Sequence, residues 1–100
     1  MIKEFFDVRA ALDEVIQIMS FQVTQKNLYL KTNIDQSVPQ FIKSDVKRFK
    51  QVLFNLIGNA IKFTFKGGVT VRLSYTKKQL TTSVMDTGLG IEPEAIQKLF

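Results

Sequence analysis

The chain has 100 residues, 45% of them hydrophobic, a formal net charge of +5, and neither cysteine nor histidine. This length and composition fit one folded domain, and the absent residues exclude disulfides, thiolate metal sites and phosphorylation of this chain on histidine. No apolar run approaches the roughly 20 residues of a membrane-spanning helix. A cytoplasmic setting is therefore expected, with membrane attachment only through parts of a longer parent protein.

The positive charge raises the question of nucleic-acid binding. A basic cluster is formed by Lys43, Lys47, Arg48 and Lys50. No aromatic residues alternate with these charges on a predicted strand, as a stacking platform for bases would require. We therefore expect no nucleic-acid partner, and we interpret the cluster as a solvated helix end with some attraction for a polyphosphate.

The first elements in chain order are a helix and a strand. Asp7 is placed to cap a helix from Val8 to about Lys26, and Asn27 suits the left-handed conformation that ends a helix. Residues Leu28 to Ile34 then alternate as a strand. The apolar side chains of the helix define one buried face: Ala11, Leu12, Val15, Ile16, Ile18, Met19 and Val23.

A second helix follows the loop at Pro39 and a short apolar segment, Phe41-Ile42. Ser44 or Asp45 is expected to cap it, and its central stretch, Gln51 to Thr64, reads QVLFNLIGNAIKFT. At about 100° per residue, the apolar side chains occupy one wide arc that should be core. These residues are Phe49, Val52, Leu53, Leu56, Ile57, Ala60 and Ile61.

The last part of the chain predicts a β-hairpin. Lys66-Gly67-Gly68 ends the helix, and two alternating strands, Val69–Thr76 and Leu80–Asp86, are joined by a turn. Pro93 predicts a short helix containing Ala95, Ile96, Leu99 and Phe100, which would leave the second strand without a following neighbour. The expected fold is an α+β two-layer sandwich, a mixed sheet of at least three strands with the helices packed on one face.

Polar residues form a separate stripe along the second helix. Arg48, Asn55, Asn59 and Lys62 share an arc of roughly 60°, and Phe63 borders it. The lysine can neutralise phosphate, the amide oxygens can coordinate a hard cation such as Mg²⁺, and the ring can lie against a base. Taken alone, the stripe fits a solvated helix face equally well.

The turn Asp86 to Ile91, reading DTGLGI, favours the ligand interpretation. A carboxylate ends an apolar strand there, and two glycines follow at a spacing that lets backbone approach a ligand closely. With this turn, NLIGNAIKFT resembles the N-box of sensor histidine kinases, and DTGLGI resembles their first glycine box. Both belong to the ATP-binding domain shared with gyrase, MutL-type and heat-shock chaperone ATPases. The ending NAIKFT is typical of histidine kinases, especially hybrid ones.

The resemblance implies a nucleotide site that binds ATP with Mg²⁺. Asn59 would ligate the Mg²⁺, Asn55 would support that polar cluster, and Lys62 would contact phosphate. Phe63 would border the adenine, Asp86 would accept a hydrogen bond from the adenine amino group, and the loop with Gly88, Gly90 and Ile91 would pass close to the nucleotide. Asp86 is expected in the crevice between the layers, near the asparagines.

The resemblance also implies the domain content and the reaction. Residues 1–100 would be a partial domain with the N-box at 51–64 and the first glycine box at 86–91, incomplete at the C-terminus because the second glycine box is absent. The domain would present Mg·ATP for phosphoryl transfer to a histidine on a separate dimerisation domain. A response-regulator receiver domain would be a further partner. The alternatives are a truncated, non-catalytic nucleotide-binding or regulatory module and another ATPase of the same superfamily.

Overall fold

The computed structural model describes residues 3–86 in full and residues 94–99 as a strand backbone. These residues form two helices and six strands. In chain order they are β1 (Glu4–Asp7), α1 (Val8–Gln25), β2 (Tyr29–Ile34), β3 (Phe41–Ser44), α2 (Val46–Phe63), β4 (Gly68–Thr76), β5 (Gln79–Asp86) and β6 (Glu94–Leu99).

Four of the strands form one mixed sheet in the order β2-β4-β5-β6. β2 runs parallel to β4, with Tyr29 opposite Gly68, and the β4–β5 and β5–β6 pairs are antiparallel. β1 and β3 form a separate antiparallel ribbon, with Phe6 opposite Ile42. The connection from β2 to its parallel neighbour β4 therefore contains both β3 and α2.

One face of the sheet is buried beneath the helices. Alternate residues of β4 and β5 are inaccessible to solvent, namely Val69, Val71, Leu73, Leu80, Thr82 and Val84, and the intervening residues are partly or fully exposed. The same core contains the apolar faces of α1 and α2. This arrangement confirms the expected two-layer sandwich, a mixed sheet with helices on one face.

The ends of α2 are set by local hydrogen bonds. Asp45, in an extended conformation, accepts a hydrogen bond from the Arg48 amide through its carboxylate, so Asp45 rather than Ser44 is the N-cap. At the other end, the Thr64 hydroxyl donates to the Ala60 carbonyl at 2.7 Å, and the Thr64 amide donates to the Ile61 carbonyl at 3.3 Å. These bonds satisfy carbonyls that the helix itself leaves without partners.

The end of α1 is a Schellman motif built around Asn27. Asn27 has φ 58°, as the sequence predicted, and its amide donates to the Thr24 carbonyl, while the Leu28 amide donates to the Val23 carbonyl. Val23 and Leu28 are both buried, which supplies the hydrophobic contact typical of this motif. The position at which α1 stops is therefore fixed by packing as well as by hydrogen bonds.

A glycine is required where β4 begins beside β2. Gly68 is buried, and a Cβ atom added there would overlap the ring and the carbonyl oxygen of Tyr29. The absence of a side chain lets the two parallel strands start at the same level with the tyrosine ring lying over the glycine. The turn before β4 is completed by Gly67 at φ 86°.

Two linked predictions about the C-terminal elements are corrected by the structure. The short helix expected after Pro93 is wrong, because residues Glu94–Leu99 form β6 and pair antiparallel with β5. The strand Leu80–Asp86 is therefore not without a neighbour. An exposed strand edge offers a row of backbone donors and acceptors, and pairing with it outweighs the weak local helix signal. Pro93 itself lies outside the described residues.

The remaining differences concern short or marginal patterns. β1 was not predicted, and the segment Phe41-Ile42 is part of its partner strand β3. Ile18, assigned to the buried face of α1, is 59% exposed because it lies on the flank of that face. In the described part of the chain, neither helix has the length and hydropathy needed to cross a bilayer.

The β4–β5 turn should be open to stabilisation. Lys77 and Lys78 form it with φ values of 52° and 63°. Such angles suit Gly, Asn and Asp, and other residues adopt them at a cost of roughly 1–2 kcal/mol each. We expect the double change Lys77→Asn and Lys78→Gly to raise the free energy of unfolding by about 1 kcal/mol or more in urea titrations. The change Lys31→Asn, on a β2 residue outside the turn, is the control. An unchanged urea midpoint for the double variant would contradict the expectation.

The N-cap of α1 should make stability depend on pH. The Ala10 amide donates to the Asp7 carboxylate at 3.0 Å, and this bond is the main cause that holds the pKa of Asp7 below its ordinary value of 3.8. Because the folded-state pKa is lowered, the contribution is complete above pH 3.8 and is lost as pH falls through the folded-state value. We expect Asp7→Asn, which keeps an acceptor but cannot titrate, to be less stable than wild type at pH 6. The difference in stability should narrow as the pH falls below 3.8, and a difference that stays constant would refute this cause.

Candidate nucleotide-binding site

The polar stripe of α2 lies on the side of the helix that faces away from the core. The buried residues Phe49, Leu53, Ile57 and Ile61 occupy the opposite side. Arg48, Asn55, Asn59 and Lys62 are all exposed, and Asn55 and Asn59 lie one turn apart on the same face. The burial of the apolar arc thus directs both amide groups and the two cations towards solvent, where a ligand could reach them.

Lys62 and Phe63 form the C-terminal edge of this stripe. The Lys62 Nζ lies 5.5 Å from the centroid of the Phe63 ring, and the ring is 55% exposed. An exposed cation beside an exposed ring can serve a ligand that has both a negative charge and an aromatic face. In residues 3–86, Lys62 has no carboxylate partner that would neutralise it.

A contact that the sequence did not predict holds the same end of α2. The Nζ of Lys26, at the end of α1, donates to the Ile61 carbonyl at 2.6 Å and lies 4.9 Å from the centroid of the Phe65 ring. A cation at a helix C-terminus is favourable because it opposes the negative end of the helix dipole. The pairing joins residues 35 positions apart, so a search for local motifs could not have found it.

Asp86 lies at the end of the buried sheet face. Its Cα partner across the ladder is Val69, whose side chain is inaccessible to solvent, and Asp86 itself is half-buried. Opposed residues in an antiparallel pair project to the same side, so the carboxylate belongs to the side that carries the helices. This is the side on which the sequence placed it, and its closeness to Asn55 and Asn59 stays a prediction.

The structure covers only part of the predicted site. Gly88, Gly90 and Ile91 lie outside the described residues, so their predicted approach to the nucleotide is untested. Within the described part, no group of three or more carboxylate, histidine or cysteine side chains could hold a metal ion. A cation at Asn59 would therefore depend on oxygen ligands brought by the bound molecule, which is how Mg²⁺ commonly binds with nucleotide phosphates.

Comparison with known proteins gives three strong similarities. The signal transduction histidine-protein kinase BarA of Escherichia coli (strain K12) is 38% identical over 100 residues, which are 95% of this chain and 11% of BarA. The structure of full-length ShkA in complex with AMPPNP matches with a TM-score of 0.82 and 33% identity, covering 91% of this chain and 20% of ShkA. The complex of histidine kinase ThkA with response regulator TrrA matches in fold, with a TM-score of 0.72 and 24% identity over 82% of this chain and 25% of ThkA.

These similarities give both the fold and the family of the chain. The fold is that of a histidine kinase catalytic domain, a mixed sheet covered on one face by helices. Residues 44–100 match the family model of histidine kinase-, DNA gyrase B- and HSP90-like ATPases, and the chain belongs to this family. The resemblance carried by NLIGNAIKFT and DTGLGI is thereby confirmed. The chain spans about a tenth of the length of BarA.

Proposed function

We propose that this chain is the ATP-binding part of a two-component sensor histidine kinase that acts in the cytoplasm. The observation that carries the proposal is the exposed row of Asn55, Asn59 and Lys62 on a helix whose other side is core, in a chain of this ATPase family. ShkA, a similar protein, was solved with the ATP analogue AMPPNP. Residues 1–100 would form a partial ATP-binding domain, with the N-box at 51–64 and the first glycine box at 86–91.

The side chains present are suited to Mg·ATP. Asn59 would supply an amide oxygen to the Mg²⁺ ion, with Asn55 one turn away as its support. Lys62 would contact phosphate, and Phe63 would border the adenine ring. Asp86 would accept a hydrogen bond from the adenine amino group, which an ionised carboxylate can do and a donor cannot. The glycine loop with Gly88, Gly90 and Ile91 would pass close to the nucleotide.

The contribution of this chain to the reaction would be binding and orientation. The bound nucleotide supplies the γ-phosphoryl group, and phosphoryl transfer depends mainly on positioning and on stabilisation of charge. The acceptor would be a histidine on a separate dimerisation domain, since this chain contains none. A response-regulator receiver domain would be the next partner, by analogy with the solved complex of ThkA and TrrA.

We expect Asp86→Asn to weaken ATP binding by about tenfold or more, because an amide replaces the ionised acceptor and presents a donor to a group that also donates. The measurement is a titration with a fluorescent ATP analogue. Asp13→Asn, which removes an exposed carboxylate from α1, is the control and should bind as wild type does. Equal affinity of Asp86→Asn and wild type would show that the adenine contact is assigned wrongly.

We expect Asn59→Ala to lower the affinity for Mg·ATP by several-fold more than the affinity for metal-free ADP, because its partner would be the cation and not the base. Asn33→Ala, at an exposed position of β2, is the matched control. Both ligands should be titrated against each variant by calorimetry. Equal losses for the two ligands would place Asn59 in the scaffold of the helix instead.

A further inference from the structure

Lys26 contacts both sides of the segment that carries Lys62 and Phe63. Its ammonium group donates to the Ile61 carbonyl at 2.6 Å and lies 4.9 Å from the centroid of the Phe65 ring. Ile61 and Phe65 flank residues 62–64 directly. The one side chain therefore holds this short segment from before and from after the two candidate ligand-binding residues.

Lys26 is itself held in place at the end of α1. It is the C-cap residue, and its amide donates to the carbonyls of Gln22 and Val23. The next two residues complete the Schellman motif, in which Leu28 is buried. Because the backbone at Lys26 is fixed and its side chain is half-buried, the ammonium group can act as a fixed point against which α2 ends.

The last turn of α2 is also held by the Thr64 hydroxyl, which donates to the Ala60 carbonyl at 2.7 Å. At the Ile61 carbonyl, however, the bond from Lys26 is the shorter of the two described. The Ile61 carbonyl is among the last four of the helix, which have no partner within it, and its second donor, the Thr64 amide, is longer at 3.3 Å. Lys62 and Phe63 are exposed and contact each other, so the direction of both side chains depends on the backbone of this turn. Loss of the hydrogen bond from Lys26 should let this turn fray, and the side chains of Lys62 and Phe63 should then adopt a wider range of orientations.

We propose that Lys26 is a positioning residue for the nucleotide site, which fixes Lys62 and Phe63 from the neighbouring helix. The inference rests on the proposed function, because Lys62 and Phe63 are assigned there to phosphate and adenine. Lys26 would act through these residues and would not itself touch the nucleotide. Its effect on binding should therefore become smaller when the phosphate contact of Lys62 has been removed, because only the part that acts through Phe63 remains.

The first test uses the chain without ligand. Lys26→Met removes the charge and keeps most of the side-chain volume, and Lys26→Arg keeps a donor and a cation that can lie over the Phe65 ring. Lys31→Met is the matched control, since Lys31 Nζ lies 4.6 Å from the centroid of the Tyr29 ring but makes no hydrogen bond to a carbonyl of α1 or α2. Amide hydrogen exchange at residues 63–65 should accelerate by about tenfold in Lys26→Met and should change little in the other two variants.

The second test measures ATP affinity in a double-mutant cycle. Lys26→Met should weaken ATP binding at least about threefold, while Lys26→Arg and Lys31→Met should stay within about twofold of wild type. In a Lys62→Met background, the additional change Lys26→Met should have an effect smaller than about twofold. A residue that merely stabilised the fold would lower the affinity equally in both backgrounds.

The outcomes separate the inference from the function on which it rests. Faster exchange together with a loss of affinity that depends on Lys62 supports the positioning role. Wild-type affinity of Lys26→Met, or an equal loss in both backgrounds, overturns it while the ATP assignment stands. Absence of ATP binding by the wild-type chain refutes the proposed function and the positioning role with it, and the exchange rates then report only how the helix end is held.

Discussion

Burial of one side of α2 sets the rotation of this helix about its axis, and with it the direction of every polar side chain that the helix carries. Phe49, Leu53, Ile57 and Ile61 recur at helical spacing and are all inaccessible to solvent beneath the sheet and beside α1. A helix has only one rotation about its axis that buries such an arc, so the position of every other side chain follows. Exposure of Asn55, Asn59 and Lys62 is therefore a consequence of core packing and needs no separate cause.

The same packing places the two helices side by side. The Lys50 ammonium and the Glu14 carboxylate are 2.7 Å apart at one level, and Lys26 reaches the Ile61 carbonyl at the other. The Glu14 carboxylate of the ion pair is largely exposed and the Lys50 side chain partly so, and solvent screening keeps the contribution of the pair small. The bond from Lys26 instead meets the Ile61 carbonyl, whose other described donor, the Thr64 amide, is longer at 3.3 Å. Contacts between the helices therefore matter most where α2 stops, next to the candidate ligand-binding residues.

Strong periodic patterns made much of this fold predictable from the sequence. The cap Asp7, the left-handed Asn27 and the alternation of β4 and β5 are local signals, and each lies where the sequence placed it. Asp45 is one of the two caps that the sequence offered for α2. The residues that make up the polar stripe of α2 were predicted from helical spacing in the same way. Its proposed contacts with a nucleotide stay predictions, because they depend on a ligand and on the glycine loop.

Non-local interactions account for what the sequence did not predict. β1 and β3 have only four residues each, too few for alternation to identify a strand, and they are strands because they pair with each other. β6 was predicted as a helix from a proline and four apolar residues, but this segment is a strand because it pairs with β5. The role of Lys26 at the end of α2 also depends on a tertiary contact, because Lys26 and Ile61 lie at the ends of different helices and no pattern within one helix predicts their pairing.

The parallel pairing of β2 with β4 has a consequence for the order of folding. β4 and β5 are joined by a tight turn, so their hairpin involves only local contacts, whereas β2 reaches β4 after a crossover that contains β3 and α2. Closing a long connection costs more chain entropy than closing a hairpin, so non-local pairing is the slower event. The helix α2, which carries the polar stripe, is part of the long connection between β2 and β4. We therefore expect the candidate binding surface to be completed in the same late step that joins β2 to the sheet.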